Sequence, residues 1–164
     1  MNSALALLEK LLRPPRILLA EDDEAVGRSI AHWLDSHYEC VLVWARTGTE
    51  ALAAAAEVQQ FDLVFLNLRL PGISGTEVLR RIKAQAPSLP VVLITGFMDA
   101  EATEAFRLGI VGVMAGPIDA NALDAVFATY KIKARTREAQ VFFHQTSSRQ
   151  TEVVQDECAG HCVR

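Results

Sequence analysis

From Arg16 onward, short runs that are apolar throughout alternate with longer segments in which apolar positions recur every three or four residues. The runs are Arg16 to Ala20 (RILLA), Cys40 to Ala45 (CVLVWA), Leu63 to Leu66 (LVFL), Val91 to Thr95 (VVLIT) and Ile110 to Met114 (IVGVM). A strand with one wet face alternates apolar and polar residues; these do not, so they read as strands covered on both faces, as in a parallel sheet. The helical periods between them run approximately over Glu24 to Asp35, Thr49 to Val58, Gly75 to Ala86, Ala100 to Leu108 and Ala120 to Lys133. Five strand-helix units in succession predict an α/β domain with a doubly wound, five-stranded parallel sheet.

Local punctuation agrees with these bounds. Thr47, Ser74 and Asp119 stand where an N-cap side chain is needed, and Gly109 stands where a left-handed residue would close the fourth helix. Pro71-Gly72 and the Pro87 to Pro90 segment mark loops. Ahead of the domain, Leu5, Leu8 and Leu12, flanked by Leu7 and Leu11, form a short amphipathic helix that Pro14-Pro15 stops. That extension, residues 1–15, either packs on the domain, mediates dimerisation or is loosely held. Residues 134–164 are polar, with four arginines against four acids, and either prolong the fifth helix through Tyr130, Ala134 and Val141 or form a frayed tail. The domain itself spans 16–133.

Composition narrows the class. A chain of 164 residues holds one full-size domain. With 51% hydrophobic and 22% charged residues and a mean hydropathy of +0.18, it can bury a sizeable core. Its net charge of -4 offers no field to draw in nucleic acid or an anionic membrane surface. No apolar run reaches the roughly 18 to 20 residues of a membrane span, and the N-terminus lacks the basic start of a signal peptide. Three cysteines spread far apart fit a reducing compartment, so a cytoplasmic protein is expected. Cys158, His161 and Cys162, with His144 upstream, leave two readings: a metal or redox site, or an inert reduced tail. Cys40 reads as packing, and His32 and His37 as surface residues.

In an open parallel sheet the chemistry lies outside the carboxyl ends of the strands, where strand order reverses. Standing there are Glu21, Asp22 and Asp23 after the first strand, Asn67 after the third, Thr95-Gly96 after the fourth and Gly116-Pro117 after the fifth. Carboxylates crowded at a strand end raise one another's cost of ionisation, which a divalent cation relieves, and oxygen-only ligands point to Mg²⁺. Alternatively Asp22, Asp23 and Glu24 simply favour the positive end of the first helix.

The segments ILLAEDD (17–23), FDLVFLNLRLPGISG (61–75), VVLITG (91–96) and GVMAGPID (112–119) together resemble, in order and spacing, the receiver domain of two-component response regulators. The resemblance covers about residues 16–133 and implies a flavodoxin-like sheet of strand order 2-1-3-4-5. In that family an acid pair holds Mg²⁺, an aspartate ending the third strand takes a phosphoryl group from a histidine kinase, and a Ser/Thr and a Lys contact the phosphoryl oxygens. Carried over by position, Glu21 and Asp22 match the acid pair, Thr95 the switch hydroxyl, and the carbonyl of Arg69 the main-chain metal ligand. Pro117 is a candidate for the cis proline of that loop. Two positions depart from the pattern: Asn67 stands at the acceptor and Gly116 at the lysine. Val113 stands where many receivers carry a switch Tyr or Phe.

An asparagine amide is neutral and a feeble nucleophile, and Gly116 supplies no ammonium to absorb phosphoryl charge. The two losses compensate: three carboxylates and a lysine sum to -2, and Glu21 with Asp22 alone also sum to -2. Asn67 can donate its amide N–H to Glu21 or Asp22, which an ionised aspartate could not, and any Mg²⁺ held through Glu21, Asp22, Asn67 and Arg69 should bind weakly. The expected function is that of a phosphorylation-independent, non-enzymatic receiver that works by protein contact. Its partners would be a histidine kinase, a phosphotransfer or output protein, or a second copy, but neither nucleic acid nor membrane. The contact face would be the fourth helix, fifth strand and fifth helix, with Phe106, Arg107, Asp124, Phe127 and Lys131. The rival is a receiver that still accepts phosphate on Asp22 or Asp23.

Overall fold

In a computed structural model of the chain, residues 12–96, 99–116 and 118–132 are described. Five strands, β1 (Arg16–Ala20), β2 (Val41–Ala45), β3 (Leu63–Asn67), β4 (Val91–Thr95) and β5 (Gly112–Ala115), alternate with α1 (Glu24–His37), α2 (Gly48–Ala55), α3 (Gly75–Gln85), α4 (Ala100–Arg107) and α5 (Ala120–Thr129). All strand pairs are parallel and the order is β2-β1-β3-β4-β5, as the resemblance implies. From β1 the chain builds first toward β2 and then, through β3, the other way, so the carboxyl ends of β1 and β3 lie side by side at the reversal.

Successive strand residues point to opposite faces, and the apolar runs therefore feed two cores. Leu18, Val64, Leu66, Val91 and Leu93 pack with Ala51, Val78, Leu79, Ile82, Ala102 and Ala105 of α2, α3 and α4. Ile17, Leu19, Phe65, Val92, Ile94 and Met114 pack on the other face with Ile30 and Leu34 of α1 and with Leu123 and Phe127 of α5. An aromatic knot closes this second layer at the carboxyl ends of its helices. The Tyr38 and Phe127 rings lie 4.4 Å apart, Trp33 and Phe127 5.9 Å, and the Tyr38 hydroxyl donates to Asp124 at 2.7 Å.

The caps fall where the sequence puts them. Thr47, Ser74 and Asp119 accept from Glu50 N, Glu77 N and Ala122 N respectively. Gly109 takes φ +90° after α4. Several bounds differ for local reasons. The second helix stops at Ala55, and a 3₁₀ turn over Val58–Gln60 continues the chain. Cys40 precedes β2, and Ile110 precedes β5 because its N–H closes on Ala105 O at the end of α4. α5 ends at Thr129, short of Lys133: Lys131 adopts φ +56° and the Ile132 N–H turns back to Phe127 O at 2.9 Å. The reading of residues 134–164 as a prolongation or a tail lies outside the described residues.

Arg13, placed by sequence in the extension, donates to Asp62 Oδ2 (2.8 Å) and to Gln60 O (2.7 Å), so the last residues before β1 are tied to the start of β3. Readings that concern residues 1–11, Pro117, His144 and the Cys158, His161, Cys162 cluster lie outside the described residues.

Candidate functional site

The site is assembled by three chain segments that leave the sheet at the reversal. Glu21 follows β1 and is only 2% exposed. Its N–H is held by Ala45 O (3.0 Å) and its carbonyl accepts from the Trp44 indole N–H (2.8 Å), which fixes its backbone to β2. The Trp44 ring packs against Gly27 of α1, where a Cβ would come within 2.0 Å of the ring, and Arg46 covers it at 4.6 Å. Gly75 plays the matching part under β3: a Cβ there would meet Asn67 O at 2.2 Å, so only glycine lets the start of α3 pass the strand end.

Asn67 reaches across this gap. Its Nδ2 donates to Glu21 Oε1 (3.1 Å) and to Asp22 Oδ1 (3.2 Å), while its Oδ1 accepts from Arg69 N (3.0 Å). The amide therefore turns its donor edge, not its oxygen, toward the two carboxylates. Glu21 Oε1 also accepts from Asp23 N at 3.0 Å. Burial pushes the Glu21 carboxyl above its ordinary range; the bonds from Asp23 N and Asn67 pull it back in part, and the charges of Asp22 and Asp23 push it further up.

The remaining candidates fall into distinct places. Asp23 is the N-cap of α1, its Oδ1 accepting from Ala25 N (2.8 Å) and Val26 N (3.0 Å), which is the helix-terminus role open to it by sequence. The Arg69 side chain leaves the site and pairs with Asp99, the N-cap of α4, at 3.0 Å, tying the loop after β3 to the loop after β4. Thr95 and Gly116 face the same cleft as Glu21 and Asn67, and a Cβ on Gly116 would meet nothing within 4 Å.

That cleft continues as a cavity of roughly 670 Å³ between α1 and α5, lined by Val26, Ile30 and Trp33 on one side and Ile118 and Leu123 on the other, over Ile94. Sequence reasoning finds its polar rim but not its apolar body, because the body depends on how far two helices stand apart. The Arg69–Asp99 pair and the Trp44–Gly27 contact were likewise invisible, since each joins residues far apart in the chain.

One contact residue needs correction. Phe127, expected on the α4, β5 and α5 face, is fully buried against Phe65, Trp33 and Tyr38. Asp124 is exposed but bonded toward α1 through Tyr38. Phe106 (49% exposed), Arg107 and Lys131 are at the surface, joined by Val111 (50% exposed), which the sequence reading did not single out.

The profile of the family described as response regulator receiver domain matches residues 17–128, more than half of the chain. The chain belongs to this family. Among curated relatives, an uncharacterized transcriptional regulatory protein, YkoG, of Bacillus subtilis is 44% identical over 80 residues, 48% of this chain and 34% of that protein. The transcriptional regulatory protein FixJ of Bradyrhizobium diazoefficiens is 31% identical over 125 residues, 76% of this chain and 58% of that protein. The chain thus spans well under two thirds of the regulators it matches. Of solved structures, the signal receiver domain of an HD domain-containing protein from Pseudomonas fluorescens is similar at 30% identity and a TM-score of 0.66, over 72% of this chain and 94% of that one. In this response regulator receiver, Asn67 ends β3 and Gly116 follows β5. Among the described residues no helix is long and apolar enough to cross a membrane, and no three His, Cys, Asp or Glu side chains converge as a metal site.

Proposed function

We propose that this receiver signals by protein contact without taking up a phosphoryl group, and that Asn67 is the residue that removes it from phosphotransfer. The observation that carries the reading is the Asn67 amide held by both acids. In-line transfer needs an anionic oxygen facing the incoming phosphorus and cations on the equatorial oxygens. Here an NH₂ faces the acids, the carbonyl oxygen is engaged by Arg69 N, and Gly116 brings no charge. The donor set does not suit tight Mg²⁺ either: Glu21 and Asp22 can ligate, but Asn67 would have to turn its oxygen inward and give up all three bonds. Mg²⁺ is therefore expected to bind weakly and to be dispensable.

Asp23 is engaged as a helix cap and Asp22 as an acceptor from Asn67, which argues against either as a substitute acceptor. Work by contact then falls to the α4 and β5 face, where Phe106 and Val111 are the large apolar side chains left exposed, with the cytoplasm as the setting and a regulatory protein or a second copy as the partner. Incubation with acetyl phosphate and Mg²⁺, read by intact mass, tests the proposal. No mass increment is expected, while an acid-stable, base-labile phosphoryl adduct would overturn it.

A further inference from the structure

We infer that the cleft running from Glu21 and Asn67 to Leu123 is a binding site for a small organic cation, an ammonium group carried on an apolar body. The inference rests on the reading of this site as one that holds no phosphoryl group, since that group would fill the polar end.

Three observations lead to it. The cavity, at roughly 670 Å³, lies within the range of about 300–1,000 Å³ common for small-molecule clefts. Its two ends differ in chemistry. Glu21, Asp23 and Asn67 form the polar end, and no described lining residue is basic; Val26, Ile30, Trp33, Ile94, Ile118 and Leu123 form the apolar end. Finally, Gly116 lines the cleft and the space over it is open, since a Cβ there would meet nothing within 4 Å. An anion would be repelled by the carboxylates at the polar end, and a neutral apolar molecule would answer only the apolar end. An ammonium meets both needs, with its charge near Glu21 and its body against the Trp33 ring, whose face also favours cations.

The cavity is maintained by the way α1 and α5 meet. The Trp33, Tyr38 and Phe127 contacts and the Tyr38–Asp124 bond join the helices toward their carboxyl ends, leaving Ala25 and Ala120 to face the gap at their amino ends.

Titration of the full chain with phenethylammonium, followed by Trp33 fluorescence and by methyl NMR of Ile94, Ile118 and Leu123, tests the inference. Saturable binding is expected. Gly116→Lys, which places a fixed ammonium in the cleft, should weaken it about tenfold or more. Ser29→Phe, at an exposed lining position, should weaken it similarly by filling the apolar end. The neutral isostere 2-phenylethanol should bind at least several-fold more weakly than the amine. Equal binding of amine and alcohol would overturn the cation assignment, and no binding of either would overturn the site. The parent reading is checked separately on the same preparation. Failure of the amine to bind, with no phosphoryl adduct from acetyl phosphate, sinks this inference alone, whereas an adduct sinks the phosphorylation-independent reading itself.

Discussion

At the scale of the residue, Asn67 does what an ionised aspartate at the end of β3 could not: it bridges Glu21 and Asp22 as a donor. Asn67→Asp replaces two hydrogen bonds with a third negative charge beside a carboxyl that burial already holds up. We expect it to cost about 1–3 kcal/mol in metal-free buffer, with most of that recovered in Mg²⁺, as read by urea denaturation with and without the metal. The same reasoning gives Glu21 a signed pH effect. Its folded carboxyl binds a proton more tightly than the unfolded one, at an ordinary value of 4.5, so this contribution is fully present below pH 4.5 and is lost as pH rises through the higher folded value. Glu21→Gln retains an oxygen for Asp23 N and Asn67 and removes the charge. Its melting temperature at pH 7 should exceed the parent's by roughly 2–5 °C, and the difference should vanish in acid. A lower value at pH 7 would mean that the bonds to the ionised carboxylate outweigh its burial.

Elements of secondary structure were legible in this chain to the extent that they are local. Uniformly apolar runs marked the strands, although the edge strands β2 and β5 are only partly covered, and Thr47, Ser74 and Asp119 marked helix starts because a side-chain oxygen there answers the orphan N–H groups of the first turn. Helix ends were less legible: Ile132 turning back on Phe127 depends on a positive φ at Lys131, a residue type that gives no such signal. Of the candidate site, the residues at strand ends could be named, but not that Asn67 turns its amide to the acids or that α1 and α5 part to leave a cavity. Contacts between elements also decide where substitutions hurt. Gly27→Ala would drive a methyl into the Trp44 ring and displace the indole from Glu21 O, a loss of about 1–3 kcal/mol by chemical denaturation. At the other end of α1, burial and then the Asp124 carboxylate push the Tyr38 hydroxyl up to about 12. Its stabilisation is complete below pH 10 and is lost as pH rises through about 12. Asp124→Asn should bring the phenolate absorbance midpoint down toward the ordinary value of 10, and an unmoved midpoint would leave burial as the sole cause.

For the whole molecule, the sheet separates two layers with different tasks. Leu123 and Phe127 bind α5 into the layer that frames the cleft, while α4 and the residue before β5 leave Phe106 and Val111 exposed. If this flank carries the proposed contact, Phe106→Asp paired with Val111→Asp should abolish partner or self-association, read by sedimentation velocity, while the melting temperature and the tryptophan emission stay unchanged; a parallel loss of fold would place these residues in the core instead. The coexistence of Asn67 and Gly116 has a consequence for substitution. Asn67→Asp alone introduces a carboxylate with no cation to match it, and Gly116→Lys alone introduces a cation with no third carboxylate beside it. Under the proposed function neither step by itself yields a phosphotransfer site, so the two positions act as a matched pair: each substitution exposes a charge that only the other can answer.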